Sequence, residues 1–110
     1  MRHVTRVEIS ERDFTAQTIE LAHLFRWTVA HFRAAMNRSG RWSTPVQGDG
    51  VGFPDLILVR GHRGIAAELK VGRNKATEAQ TDWLERFARA GFEAHVWRPE
   101  DLEEIGRTLR

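Results

Sequence analysis

The stretch that decides the fold runs Gly52-Phe53-Pro54-Asp55-Leu56-Ile57-Leu58-Val59-Arg60, then Gly61-His62-Arg63-Gly64, then Ile65-Ala66-Ala67-Glu68-Leu69-Lys70. Two apolar runs flank a glycine-bounded turn, which predicts antiparallel strands over Phe53 to Arg60 and Ile65 to Val71, apolar on both faces. Into that core go Asp55, Glu68 and Lys70. A buried charge costs several kcal/mol unless it is paired or bound to a metal. If Gly61 to Gly64 close an even-length loop, Asp55 lies opposite Lys70 and Ile57 opposite Glu68. Directly opposed residues share a face, as do residues two apart on one strand, so Asp55, Glu68 and Lys70 fall on one face. The Asp55 and Lys70 Cβ atoms are then about 5 Å apart, with Glu68 diagonal at roughly 7 Å, close enough for two carboxylates to hold one hard cation. The purely structural reading is a buried Asp55–Lys70 ion pair with Glu68 at an edge.

Upstream, Ser10 and Asp13 open a helix whose apolar or small positions Phe14, Thr18, Leu21, Ala22 and Phe25 recur at helical spacing, ending near Arg26. Glu11 stands on the line 11, 14, 18, 21, 25, so it caps the core-facing side, while Glu20 falls away from it. Trp27 to Arg33 reads as a strand, with a helix continued to Met36 as the competing reading. Residues 34 to 52 are glycine-rich loop material of unusual length. They carry Arg38, Arg41 and Trp42, suited either to phosphate contact and base stacking or to a mobile surface loop.

Downstream, Thr77-Glu78-Ala79-Gln80 has the capping-box pattern and starts a helix to about Ala90, which Gly91 stops. Phe92 to Arg98 is a further strand, and Pro99-Glu100-Asp101 opens a short terminal helix to about Leu109. The order α-β-β-β-α-β-α, with the long loop after the first strand, predicts an α/β fold: a mixed sheet flanked by helices.

The 110 residues are enough for one domain, read here as 1–110. The absence of cysteine excludes disulfides, thiolate metal sites and thiol nucleophiles. No window reaches the ~18 apolar residues of a membrane span, and the N-terminus lacks the apolar core of a secretory signal. A cytoplasmic domain is expected. The net charge of +2 hides an asymmetry. From Arg26 to Lys75 nine basic residues stand against three acidic ones, whereas Ala76 to Gly106 holds eight acidic against three basic. A basic face is therefore available for phosphate, with Arg33, Arg38, Arg41, Trp42, Arg73 and Lys75 as candidate nucleic-acid contacts.

The chemistry that Asp55, Glu68 and Lys70 permit is metal-assisted phosphodiester hydrolysis. Carboxylates hold Mg²⁺ or Mn²⁺ while leaving positions open, and a lysine beside the phosphate orients water or stabilises developing charge. Pro54-Asp55, a twelve-residue span, and Glu68-Leu69-Lys70 resemble the PD-(D/E)xK nuclease signature. With Gly52, Gln80 near a helix start and Gly91 before a strand, the pattern is similar to the VRR-NUC branch, the virus-type replication–repair nucleases, from Glu11 to the Trp97-Arg98-Pro99 region. The resemblance implies a restriction-endonuclease-like fold and a structure-selective DNA endonuclease. Stand-alone members, many from phages, are homodimers that cut four-way junctions.

Carried onto this chain, it implies Asp55 and Glu68 as metal ligands, Lys70 as the catalytic lysine, Glu11 as a helix-borne acid and metal ligand, and Gln80 as an active-site glutamine. Capping duty with Thr77 is an equally physical reading of Gln80. Relatives commonly have glycine where this chain has Arg26, a departure at the turn that places Glu11. His31 either faces the site or sits satisfied in the interior. Trp83 and Trp97 read as core or dimer-contact residues. A phage-encoded copy would work in the host cytoplasm. No membrane or organic cofactor is expected. The other functional classes are an inactive DNA-binding module of this fold and a purely structural domain.

Overall fold

The computed structural model describes residues 8–32, 35–36, 38–43 and 46–110. Helix α1 (Glu11–Leu24) starts at Ser10, whose Oγ accepts the Asp13 N–H at 3.1 Å. It ends in a Schellman arrangement in which Trp27 N–H reaches Ala22 O and Arg26 N–H reaches His23 O, both at 3.0 Å. Arg26 is the position that must take a left-handed conformation, and it does so at φ 68°. Glycine is the usual solution there because a Cβ is strained at positive φ.

The strands are β1 (Thr28–His31), β2 (Ala35–Met36), β3 (Trp42–Ser43), β4 (Leu56–Arg60), β5 (Arg63–Leu69) and β6 (Glu93–Trp97). Helix α2 (Glu78–Arg89) joins β5 to β6, and a 3₁₀ turn (Pro99–Asp101) leads into α3 (Leu102–Leu109). The main sheet has the order β1-β4-β5-β6, antiparallel except for the β5–β6 pair. Parallel strands need a crossover, and α2 is that crossover. The mixed sheet flanked by helices follows the sequence reading.

Three details differ from it. The hairpin turns over two residues, Gly61 and His62, with Arg60 paired to Arg63 and Leu56 to Ala67. Gly61 alone takes a positive φ, 58°, the pattern of a type II′ turn, whose twist suits a tight hairpin. Carried one residue further, this register sets Asp55 opposite Glu68, not Lys70. The loop length stays even, so the three residues still share a face. Secondly, the segment read as pure loop holds the short antiparallel pair β2–β3, and β1 excludes a helix continued to Met36. Thirdly, β4 is buried on one face only: Leu56 and Leu58 are buried, but Val59 is 46% exposed. Only the central β5, from Ile65 to Leu69, is buried on both faces.

On one face of the sheet Leu56, Leu58, Ile65 and Leu69 pack with Phe14 of α1, Ile105 and Leu109 of α3, Trp27 and Trp97. On the other, α2 packs over β5 and β6, and its Trp83 and Phe87 meet rings that stand just before β4 and β6 edge to face: Phe53–Trp83 at 5.1 Å, Phe53–Phe87 at 5.7 Å and Phe87–Phe92 at 4.9 Å. Gly64 lies flush beneath the Phe92 ring, where an added Cβ would fall 2.8 Å from the ring edge.

Candidate active site

Asp55 precedes β4 and is locked at both ends. Its Oδ2 accepts the Leu69 N–H at 2.8 Å, and its carbonyl accepts the Phe32 N–H at 2.8 Å. Leu69 lies between Glu68 and Lys70, so one carboxylate sets the main chain that carries the other two groups. Lys70 is half-buried, and its own N–H donates to Trp97 O at 3.0 Å, extending the β5–β6 pairing by a residue.

Glu68 is the anomaly of the core, with 1% of its surface exposed. Its Oε1 accepts from Gln80 Nε2 at 3.2 Å, whereas Oε2 is buried and has no hydrogen-bond partner among the described residues. The carboxyl pKa is pushed up to about 9. Burial is the largest cause, followed by Asp55, which can accept a hydrogen bond only from the protonated carboxyl and repels the ionised one; Lys70 opposes the shift and Glu11 adds to it. Glu68 therefore resists ionising at this place unless positive charge arrives.

That is the fit expected of a hard-cation site. Among the described residues Oε2 meets no donor, the adjacent Asp55 repels it, and a divalent cation would relieve both conditions. Among the described residues no three His, Asp or Glu side chains gather into a ready-made cage. Magnesium uses few protein carboxylates and completes its shell with water and phosphate, so two acids suffice. Glu11 is exposed at the first residue of α1, and its charge is felt at Glu68.

Gln80 caps its helix and also touches Glu68. Its Oε1 accepts the Thr77 N–H at 2.8 Å and its N–H donates to Thr77 Oγ1 at 3.2 Å, closing the capping box. The remaining side-chain amide hydrogens are free to meet Glu68. Cap and site are linked because the box fixes the Gln80 rotamer. Gly52 (φ 81°) lets the chain pass against this helix start: a Cβ there would fall 2.5 Å from the Ala79 carbonyl carbon and 2.7 Å from Gln80 N.

Trp83 is a contributor that the sequence reading left as a core or dimer-contact residue. It is half-buried, and its Nε1 donates to Asp49 O and Val51 O, each at 3.1 Å, tying down the segment that delivers Gly52 and Asp55. Its spacing of three from Gln80, on the same helix flank, was the available signal.

The basic residues divide. Arg73 and Lys75 are exposed between Lys70 and α2, and Arg38 and Arg41 are exposed between β2 and β3. Arg33 and the side chain of Trp42 lie outside the described residues. His31 is exposed at the end of β1. Arg60 and Arg63, counted above toward a basic face, are turned inward over the Trp27 ring at 4.6 and 4.9 Å from its centroid. The phosphate-facing charge is smaller than the local count implied.

No curated protein sequence matches the chain. A solved structure described as a VRR_NUC domain protein superposes with a TM-score of 0.62 at 22% identity, covering 94% of this chain and 87% of that one, which supports the shared fold. The family model of the VRR-NUC domain matches residues 12–100, a span that takes in Asp55, Glu68, Lys70, Gln80 and the strands that hold them, and the chain therefore belongs to the VRR-NUC family of nuclease-type domains.

Proposed function

We propose that this protein is a Mg²⁺- or Mn²⁺-dependent endodeoxyribonuclease that cuts branched DNA, with four-way junctions as its preferred class, and acts as a homodimer in the cytoplasm. The observation that carries the reading is the buried, unpartnered Glu68 Oε2 beside Asp55 on the strand that ends in Lys70. A structural core has no use for two carboxylates in that state.

In this reading Asp55 and Glu68 hold the cation, with Glu11 offering a further carboxylate from the start of α1. When bound, the ion supplies Lewis acidity toward the scissile phosphate and lowers the pKa of water. Lys70 places its ammonium beside the same phosphate, where it orients the attacking water and stabilises charge growing on the phosphoryl oxygens. Gln80 keeps the Glu68 carboxylate from rotating. Arg73, Lys75, Arg38 and Arg41 bind backbone phosphates, with Arg33 and Trp42 as further contacts. Two copies related by a two-fold axis put two sites on opposing strands, which one 110-residue chain cannot do.

The test is cleavage of labelled four-way junction, flap and linear duplex in Mg²⁺ or Mn²⁺, alongside Glu68→Ala and Lys70→Ala. Junction cutting lost in both variants is expected, with a dimeric mass in solution. Binding without cutting by the native protein supports the inactive-module reading instead. Unchanged cutting by both variants overturns the assignment of the site.

A further inference from the structure

The turn after Lys70 is held by a residue that the proposed chemistry does not use. Val71 to Asn74 form a turn closed by Asn74 N–H to Val71 O at 3.2 Å, with Gly72 at φ 59°. Two carbonyls of this turn converge on one guanidinium: Arg98 Nη1 donates to Gly72 O at 3.2 Å and Nη2 to Asn74 O at 2.6 Å. Arg98 follows β6 directly, one residue after Trp97, whose carbonyl holds the Lys70 N–H. Its own N–H is fixed by Asp101 Oδ2 at 3.0 Å. The end of β6 thus grips Lys70 by its backbone and the next turn by a side chain.

The turn that is gripped carries Arg73 and leads to Lys75, both exposed. A third cation placed beneath two others is electrostatically unfavourable, and the two carbonyls offset that by satisfying the planar fork as a pair. With Gly72 O and Asn74 O bound to one guanidinium, the turn is tied to the end of β6, next to two exposed cationic side chains. An ordered base lowers the entropy lost when they meet a charged ligand.

Resting on the nuclease reading above, we infer that Arg98 is a positioning residue for DNA binding, locking the Val71–Asn74 turn so that Arg73 and Lys75 meet backbone phosphates beside Lys70. It acts through those two residues and touches neither the reacting phosphate nor the cation. Lysine replaces it only in part, because a point ammonium does not span two carbonyls in a fixed fork.

The experiment measures junction binding by fluorescence anisotropy in Ca²⁺ over a salt series, and kcat and KM for cleavage in Mg²⁺. It compares the native protein with Arg98→Ala, Arg98→Lys, the Arg73→Ala/Lys75→Ala pair and the triple variant. Arg98→Ala is expected to raise Kd and KM about tenfold, to change kcat by less than about twofold, and to lower the salt slope by about one to two contacts. Arg98→Lys falls between, and it carries the test if the alanine variant does not fold. The triple variant matches the Arg73/Lys75 pair, because a residue that acts through them has nothing left to position. Native-like binding by Arg98→Ala, or an Arg98 effect that adds in full to the pair, overturns the inference while leaving the nuclease reading intact. Native protein that neither binds nor cuts overturns both.

Discussion

The two ends of the β4–β5 hairpin hold charges under opposite conditions. At the turn end, the side chains of Arg60 and Arg63 have partners. Arg60 donates to Phe25 O, Leu109 O and Arg110 O at 2.8 to 3.0 Å, gathering the last carbonyls of α1 and α3. Arg63 makes a two-point bond to Glu93 at 2.8 and 2.7 Å and reaches Thr108 O at 2.9 Å. Each of that pair favours the charged form of the other: Arg63 is raised and Glu93 lowered from their ordinary values, chiefly by their shared hydrogen bonds. At the open end, Glu68 is driven toward its neutral form by burial and by Asp55. One hairpin therefore carries an anchored end that stabilises the fold and a frustrated end that, in the proposed reading, a divalent cation relieves. Such a division is what a catalytic site on a small domain requires: the strain is local, and rigid packing elsewhere holds it in place.

The strongest test of that contrast is Glu68→Gln. It keeps an acceptor for Gln80 and removes the titrating charge, so cleavage should fall at least about 100-fold while the metal-free protein melts at a higher temperature. The sign with pH follows from linkage. The folded pKa of about 9 lies above the ordinary 4.5, so the folded state keeps a proton that the unfolded chain has lost. The stabilisation is complete below the unfolded value and is lost as pH rises toward about 9. Thermal melts in chelator across this window should show the decline, Mg²⁺ should reduce it, and Glu68→Gln should flatten it. A native protein that gains stability from this group over the same range would contradict the picture of a frustrated end.

The anchored end should respond in stability alone. Arg60→Ala removes three carbonyl bonds and a contact over Trp27, at a cost of about 2 kcal/mol, measured by urea unfolding. Cleavage at a temperature where the variant stays folded should be within about twofold of native, since the site lies at the other end of the strands. A large loss of activity without unfolding would show the two ends to be coupled. The smallest effect is a gain. Arg26 sits at φ 68° beside the carbonyl that Arg60 holds, and Arg26→Gly should stabilise by about 1 kcal/mol through relief of that strain. A destabilised glycine variant would mean that the Arg26 side chain makes up for its backbone.

Much of the site was legible because sheet geometry has parity. An even loop puts Asp55, Glu68 and Lys70 on one face whether it spans two residues or four, so the shared face survived an incorrect turn length. Which residue stood opposite Asp55 did not survive, because turn length changes the partner without changing the face. Gln80 shows another limit. Capping box and active-site contact seemed exclusive along the sequence, yet an amide has an oxygen for Thr77 and a nitrogen for Glu68. Arg60 and Arg63 show a third. They counted toward a basic face as long as charge was read along the chain, and only packing against Trp27 and the helix ends revealed their use.

The sequence by itself determined the alternation of helices and strands, the three ionisable residues in an apolar hairpin, and the family pattern that they carry. These are local properties, set by periodicity, capping residues and spacing. The tertiary structure decided which charges are satisfied. It left Glu68 Oε2 without a partner among the described residues, gave Arg60 three carbonyls, and joined Arg98 to the turn after Lys70. Partners 24 to 50 residues apart in the chain meet only once the sheet has formed, and no periodicity in the sequence encodes such a meeting.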